Sequence, residues 1–119
     1  MRDIKIDENN WTPAKGYKKQ ILASSDDFDS EGVLAQVVVI EPGSVVEPHY
    51  HKSTYEYYYV MQGDVAFTIN GETRRLKTGD MMMTEPDDIH KVENDSDEDF
   101  MVLVFKSNYV KDDTYWVKN

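Results

Sequence analysis

The feature that most constrains this chain is a series of short segments rich in β-branched and aromatic residues, each closed by a turn signal. Residues 33–40 are almost wholly apolar and stop at Glu41-Pro42-Gly43, which is typical of a strand followed by a turn. Residues 65–69 run into Asn70-Gly71, a strong signal for a two-residue hairpin. No stretch of a dozen residues keeps a helical period of apolar positions. The pattern predicts strands over residues 33–40, 55–61, 65–69, 72–76, 81–84, 90–93 and 100–106, and an exposed hairpin tip over the acidic run 94–99.

Strands this short and this closely spaced favour an all-β sandwich or closed barrel. The chain has 119 residues, an ordinary length for one domain, so we expect a single domain over residues 1–119 with its core at about 33–106. The flanking segments 1–32 and 107–119 carry apolar residues such as Trp11 and Trp116. We expect these segments to pack either on their own barrel or on a partner subunit, where they would cover an edge strand.

Composition excludes several classes of partner and site. The 13 Lys and Arg against 23 Asp and Glu give a net charge of −10, and there is no Cys. Because nucleic acids and anionic membranes are held mainly through Lys and Arg, we expect neither as a partner. Without Cys there is no thiolate nucleophile and no cysteine-bound zinc or iron–sulfur cluster. The chain has no apolar stretch of the length of a signal or a membrane span, so we expect a cytoplasmic protein.

The histidines form the one pattern that points to chemistry. After Gly43 come five residues, then His49 and His51 separated by one residue, then four residues and Glu56. In a strand, His49 and His51 point to the same side, about 7 Å apart, and Glu56 opens the next predicted strand. Further along, His90 begins another strand and offers a fourth ligand. Three imidazoles and a carboxylate suit a divalent transition metal (Fe, Mn, Ni, Cu or Zn) better than Ca or Mg, and leave open positions for a small molecule.

The same residues give the chain a resemblance to the single-domain cupins. The first cupin motif, Gly-x5-His-x-His-x3–4-Glu-x6-Gly, is matched at every position from Gly43 to Gly63. In the second motif, Gly-x5-Pro-x-Gly-x2-His-x3-Asn, the Gly79, His90 and Asn94 positions match. Pro86 comes one residue late, and Asp87 stands where the motif has its second glycine. The two motifs span residues 43–94, somewhat under half the chain, and the flanking strands extend the likeness.

The resemblance implies a jelly-roll barrel of two antiparallel sheets, a metal near its centre held by His49, His51, Glu56 and His90, and a homodimer. An alternative is a barrel that keeps the four residues as polar packing without a metal. By strand alternation Tyr58 shares the face of Glu56. Tyr58 is therefore a candidate catalytic residue that orients a substrate or passes a proton, or else a core tyrosine with a satisfied hydroxyl.

For function, we predict a metal-dependent enzyme that acts on a small oxygenated organic substrate, and dioxygenase-like chemistry is the leading hypothesis for its reaction. This reaction rests on analogy at the level of the fold, because similar barrels support many reactions. The alternatives are a cupin-type isomerase or lyase, and a non-catalytic cupin that binds or senses a metal or small ligand.

Overall fold

The computed structural model describes residues 1–118, and in it the chain forms two antiparallel sheets that face each other. The first sheet contains, in spatial order, β1 (Thr12–Pro13), β2 (Lys18–Ser24), β3 (Leu34–Ile40), β10 (Phe100–Ser107), β5 (Tyr55–Gln62) and β8 (Met81–Thr84). The second contains β11 (Tyr115–Trp116), β4 (Val45–Tyr50), β9 (His90–Glu93), β6 (Asp64–Ile69) and β7 (Glu72–Lys77). A single helical turn, α1 (Ser25–Phe28), follows β2. The prediction of an all-β jelly-roll barrel is confirmed.

Strand alternation builds the interior of the barrel. In β5, Glu56, Tyr58 and Val60 are buried, whereas Tyr59 and Met61 on the opposite face are exposed. Both sheets contribute their inner faces to one core, because each can remove its apolar side from water only against the other. The apolar core residues are Val38, Ile40, Val46, Tyr58, Val60, Val65, Phe67, Leu76, Val92, Phe100, Val102 and Val104.

The hairpin predicted at Asn70-Gly71 is confirmed. Asn70 has φ 49° and Gly71 has φ 84°, the pair of positive values that a type I′ turn requires. The turn joins β6 to β7 with Ile69 opposite Glu72. Because the turn sets the register, it also determines that Val65 and Leu76 lie opposite each other on the buried face.

The segment 94–99 differs from the prediction. It is not a hairpin tip, because β9 pairs in the second sheet and β10 in the first, so the segment crosses between the sheets. Asp95 and Asp97 are exposed, but Asn94 is fully buried. The Asn94 Nδ2 group donates to the carbonyl oxygens of Ile40 (2.8 Å) and Glu98 (2.9 Å), which fastens the crossover to the first sheet.

Both flanking segments pair with the barrel of their own chain. β2 lies beside β3, and β11 lies beside β4 with Trp116 opposite His49. Tyr17 and Trp116 pack against the core, whereas Ile4 and Val110 are about half exposed. Sequence patterns did not predict β2 because its residues, Lys18 to Ser24, carry charged and small side chains and no alternating apolar period. Within the described residues, no helix has the length and hydropathy that crossing a membrane requires.

Candidate metal centre

Four side chains from two parts of the sequence, residues 49–56 and residue 90, meet between the two sheets. His49 lies in β4, His51 follows the end of that strand, Glu56 lies in β5 and His90 begins β9. All four are buried, and one candidate ligand atom from each lies within 4.8 Å of the others. The structure therefore brings together every residue that the sequence singled out as a candidate ligand.

Strand pairing explains this convergence. In the second sheet His49 lies directly opposite His90, and their ring centroids are 4.1 Å apart. The His51 ring lies 5.4 Å from that of His49 and 5.2 Å from that of His90. Glu56 enters from the first sheet, so the cluster joins the two sheets near the centre of the barrel.

Hydrogen bonds to backbone carbonyls orient all three imidazoles. A carbonyl oxygen can only accept, so each Nδ1 carries the proton and donates it, and each Nε2 of a neutral ring presents a lone pair. The carbonyl partners of His49, His51 and His90 are those of Glu47 (2.8 Å), Asp113 (2.8 Å) and Asp88 (2.9 Å), respectively. This arrangement is the one found around metal-binding histidines, whose other ring nitrogen is usually held in the same way.

Two of the three Nε2 atoms lack a hydrogen-bond partner. The Nε2 atoms of His51 and His90 are fully buried and have no hydrogen-bond partner of acceptable geometry. They lie 2.6 Å and 3.3 Å, respectively, from Oε1 of Glu56. Lone pairs facing a carboxylate repel one another unless a proton or a cation lies between them. The cluster of three histidines and one glutamate is therefore compatible with a divalent metal ion.

The pKa values follow from burial and from these contacts. Burial, with His90 as a further cause, lowers the pKa of His49 to about 4, so this ring is neutral at pH 7. Burial also acts to lower the pKa of His51, but the contact with Glu56 outweighs it and raises this pKa above its usual value. For Glu56, burial acts to raise the pKa, but His51, His90 and Lys106 together bring it well below its usual value. Glu56 is therefore ionised and available to a cation.

Tyr58 lies on the face of β5 that alternation predicts and contacts the candidate ligands directly. Its hydroxyl donates to Oε1 of Glu56 at 2.7 Å, and its ring packs edge-on against Phe67. Burial, and next the charge of Glu56, raise the pKa of Tyr58 well above 10. The phenol therefore stays protonated and helps to orient the carboxylate.

Sequence reasoning missed two polar residues that face the same interior. Gln36 in β3 is 4 % exposed, and Lys106 in β10 brings its Nζ to 3.9 Å from Oε2 of Glu56. Burial lowers the pKa of Lys106 from its usual value. Each stands at an inward position of an otherwise apolar strand, where Val38 and Val104 mark the same face. A polar residue in phase with buried neighbours is the signal that would have identified both.

These residues line a cavity of about 70 Å³ between the sheets. A single water needs roughly 10–15 Å³ on this scale, so the cavity has room for several waters or for one small organic molecule. Apart from the four candidate ligands, its wall is mostly apolar, and the half-buried Tyr17 and Trp116 and the exposed Thr114 lie on its outer side.

Asp113 is a second feature that the sequence pattern did not reveal. Its buried carboxylate accepts hydrogen bonds from the backbone N–H groups of Lys52, Ser53 and Thr54 at 2.9–3.0 Å, and from the Thr54 hydroxyl at 2.8 Å. Its own carbonyl accepts the Nδ1–H of His51. One residue near the C-terminus therefore holds both the turn after the His-x-His pair and the orientation of one imidazole.

The departure from the second cupin motif has a simple structural explanation. Asp87, which replaces the glycine, adopts φ 71°, and its backbone N–H donates to the carbonyl of His51 at 2.7 Å. Asp tolerates this left-handed conformation better than most residues other than Gly and Asn. The turn therefore keeps a positive φ without the glycine, and His90 keeps its place in β9.

The fold and the site together define a jelly-roll barrel with a buried cluster of three histidines and one glutamate that is compatible with a divalent metal. The family profile described as the cupin domain matches residues 36–106. The chain belongs to the cupin family, as the resemblance of its two motifs indicated.

Several proteins resemble the chain over most of its length. It is 30% identical over 107 residues to an oxalate-binding protein of Thermotoga maritima, covering 87% of this chain and 88% of that protein. It is 33% identical over 87 residues to the pectin degradation protein KdgF of Dickeya dadantii, covering 72% of this chain and 74% of that protein. The solved structure of KdgF from a Halomonas species superposes with a TM-score of 0.78 at 24% identity, covering 94% and 98% of the two chains.

Replacing Asp113 by Ala should lower both the stability of the protein and the metal affinity of the site. The substitution removes the acceptor of four hydrogen bonds to a buried turn, so we expect the free energy of unfolding to fall by about 2–4 kcal/mol in chemical denaturation. We also expect a loss of metal affinity of about 10- to 100-fold, because the backbone carbonyl of residue 113, which orients His51, is no longer fixed by the carboxylate. Asp97→Ala, at an exposed position, is the control and should change neither quantity. Unchanged stability of Asp113→Ala would show that the turn does not depend on this carboxylate.

Proposed function

We propose that this cupin binds one divalent transition metal through His49, His51, Glu56 and His90, and that it binds a small oxygenated organic molecule at the open positions of that metal. The observation that carries the proposal is the pair of buried Nε2 atoms, in His51 and His90, that face a carboxylate with no hydrogen-bond partner. Burying such groups is costly unless a proton or a cation lies between them, and one divalent cation would satisfy both. A neighbouring cavity of about 70 Å³ supports a ligand of a few heavy atoms.

The chain's own side chains suit the handling of such a molecule. Apolar walls exclude water and raise the strength of every charge interaction inside the cavity. Tyr58 is proposed to orient Glu56 through its hydrogen bond, and its direct participation in a reaction stays a prediction. When bound, a transition metal supplies Lewis acidity and, for Fe, Mn, Ni or Cu, a change of oxidation state.

For the reaction, dioxygenase-like chemistry on a small oxygenated substrate stays our first prediction, with an isomerase or lyase as a variant of the same site. A second candidate function is non-catalytic binding of a small ligand. It is favoured by a specific observation: the relative that matches 87% of this chain is named as an oxalate-binding protein. Oxalate is a small oxygenated molecule that can bind a metal through two oxygens, so it belongs in any ligand panel for this protein.

Metal analysis tests the binding proposal. Protein loaded separately with Fe, Mn, Ni, Cu and Zn and then dialysed should retain about one ion per chain for at least one of these metals. His49→Ala should abolish retention, whereas Glu47→Gln, which alters an exposed carboxylate beside the pair, should not. Metal at 100-fold over its dissociation constant should stabilise the fold by about 2.7 kcal/mol, which a chelator reverses. Retention of none of the five metals would refute the assignment of the site.

Oxygen consumption separates the two candidate functions. The protein, loaded with each retained metal, is assayed with diketones, enediols, phenolics and oxalate in an oxygen electrode, and ligand binding is measured in parallel. Oxygen uptake with one of these compounds, lost in His49→Ala, would support the dioxygenase prediction. Binding of a ligand whose structure is recovered unchanged, without oxygen uptake, would favour the binding function. A product isomeric with the added compound would instead favour the isomerase.

We also propose a homodimer that uses the outer face of the first sheet. Tyr59 and Met61 of β5 and Met81 and Met83 of β8 are 40–63% exposed on that face. An apolar surface of this kind on a chain of net charge −10 suits contact with a second copy, because it brings no like charges together. Light scattering should give twice the chain mass of 13.8 kDa for the wild type and the single mass for Met81→Glu. Thr73→Glu, on exposed β7, is the control, and a monomeric wild type would refute the homodimer.

A further inference from the structure

A largely buried lysine, Lys106, whose side chain is 14% exposed, and a buried glutamine, Gln36, line the same cavity. We propose that Lys106 and Gln36 form a carboxylate-binding subsite, so that the ligand of this cupin is a small carboxylate with a second oxygen donor directed at the metal. The inference rests on the proposed metal site and adds the chemical class of the ligand.

The two side chains are placed together by the pairing of β3 and β10. Gln36 lies opposite Val104, and Lys106 lies two residues further along the same face, which makes Gln36 and Lys106 diagonal neighbours about 7–8 Å apart at Cα. Lys106 also lies opposite Glu56 on the other side of β10. The subsite therefore lies beside the candidate metal ligands, on the first sheet.

Both polar groups line the cavity and have few polar contacts within the protein. Gln36 is 4 % exposed, and its side-chain amide takes part in no hydrogen bond within the described part of the chain. The Lys106 ammonium is 3.9 Å from Oε2 of Glu56, too far for a good hydrogen bond, and 5.2 Å from the Tyr109 ring. Donors that line a cavity and lack a close acceptor in the protein are groups that a ligand can satisfy.

The charges around the cavity indicate the sign of the charge on the ligand. The buried carboxylates of the described residues are those of Glu56, which lines the cavity, and Asp113, whose charge acts on Lys106 from outside it. A divalent ion and the Lys106 ammonium bring three positive charges against these two negative ones, and Lys19 adds positive potential at Lys106. An excess of positive charge in an apolar cavity is unfavourable, and one carboxylate of the ligand neutralises it. Lys106 donates to that carboxylate as an ammonium, and Gln36 donates through its amide.

A pair of ligands that differ only in charge tests the subsite. Protein loaded with cobalt(II) is titrated with glycolate and with glycolamide, and binding is followed by the visible absorption of the ion. We expect the wild type to prefer glycolate by about tenfold or more. Lys106→Met should remove this preference, whereas Lys106→Arg should keep most of it. Gln36→Leu should weaken the binding of glycolate by about three- to tenfold. Lys77→Met, which removes an exposed charge on β7, is the control.

The outcomes separate the two proposals. If the protein retains neither cobalt nor any of Fe, Mn, Ni, Cu and Zn, the metal site itself is wrong. If cobalt is retained but the wild type binds glycolate no better than glycolamide, or does not bind it at all, the carboxylate subsite is wrong and the metal site stands. The same conclusion follows if Lys106→Met keeps the preference while its circular dichroism and cobalt content match those of the wild type.

Discussion

The convergence of three imidazole nitrogens and one carboxylate between two sheets is the interaction on which the rest of this molecule depends. The backbone carbonyls of Glu47, Asp113 and Asp88 take the protons of the three histidines, which leaves lone pairs directed at one point. Around this point the fold is otherwise a conventional apolar barrel, closed by the packing of two inner faces. The most protected volume of the barrel therefore holds polar groups that repel one another unless a proton or a cation lies between them.

The surface carries the chain's excess of negative charge, whereas the cavity holds one lysine and one ionised glutamate. The chain carries a net charge of −10, yet its cavity contains Lys106 and the four candidate ligands of a cation. With a divalent ion bound as proposed, an anion that reaches the interior would meet a favourable potential, whereas a large polyanion would meet the repulsion of the surface first. Cavity size and charge would then both favour small anionic molecules.

Local patterns in the sequence predicted much of the fold. The turn at Asn70-Gly71, the strand that contains Tyr58 and the meeting of His49 with His51 follow from rules that act over a few residues. Long-range pairing was beyond those rules. Nothing near Asn94 indicates that its segment changes sheets, and nothing near Asp113 indicates a bond to a turn that lies about 60 residues earlier in the chain. Strand alternation could have predicted that Lys106 and Gln36 point inward, but their role depends on which strands lie next to each other in the fold.

The contacts of Asp113 make the candidate metal site depend on the docking of the C-terminal segment. They join parts of the chain that are 59–62 residues apart, so they close a long loop and carry its entropic cost. His51 has its carbonyl anchor only while this C-terminal segment is docked. Fraying of the segment, a local opening that leaves the sheets intact, would release one imidazole and so loosen the hold on an ion. The exchange rate of the ion would then follow the opening of the C-terminal segment and not the unfolding of the barrel.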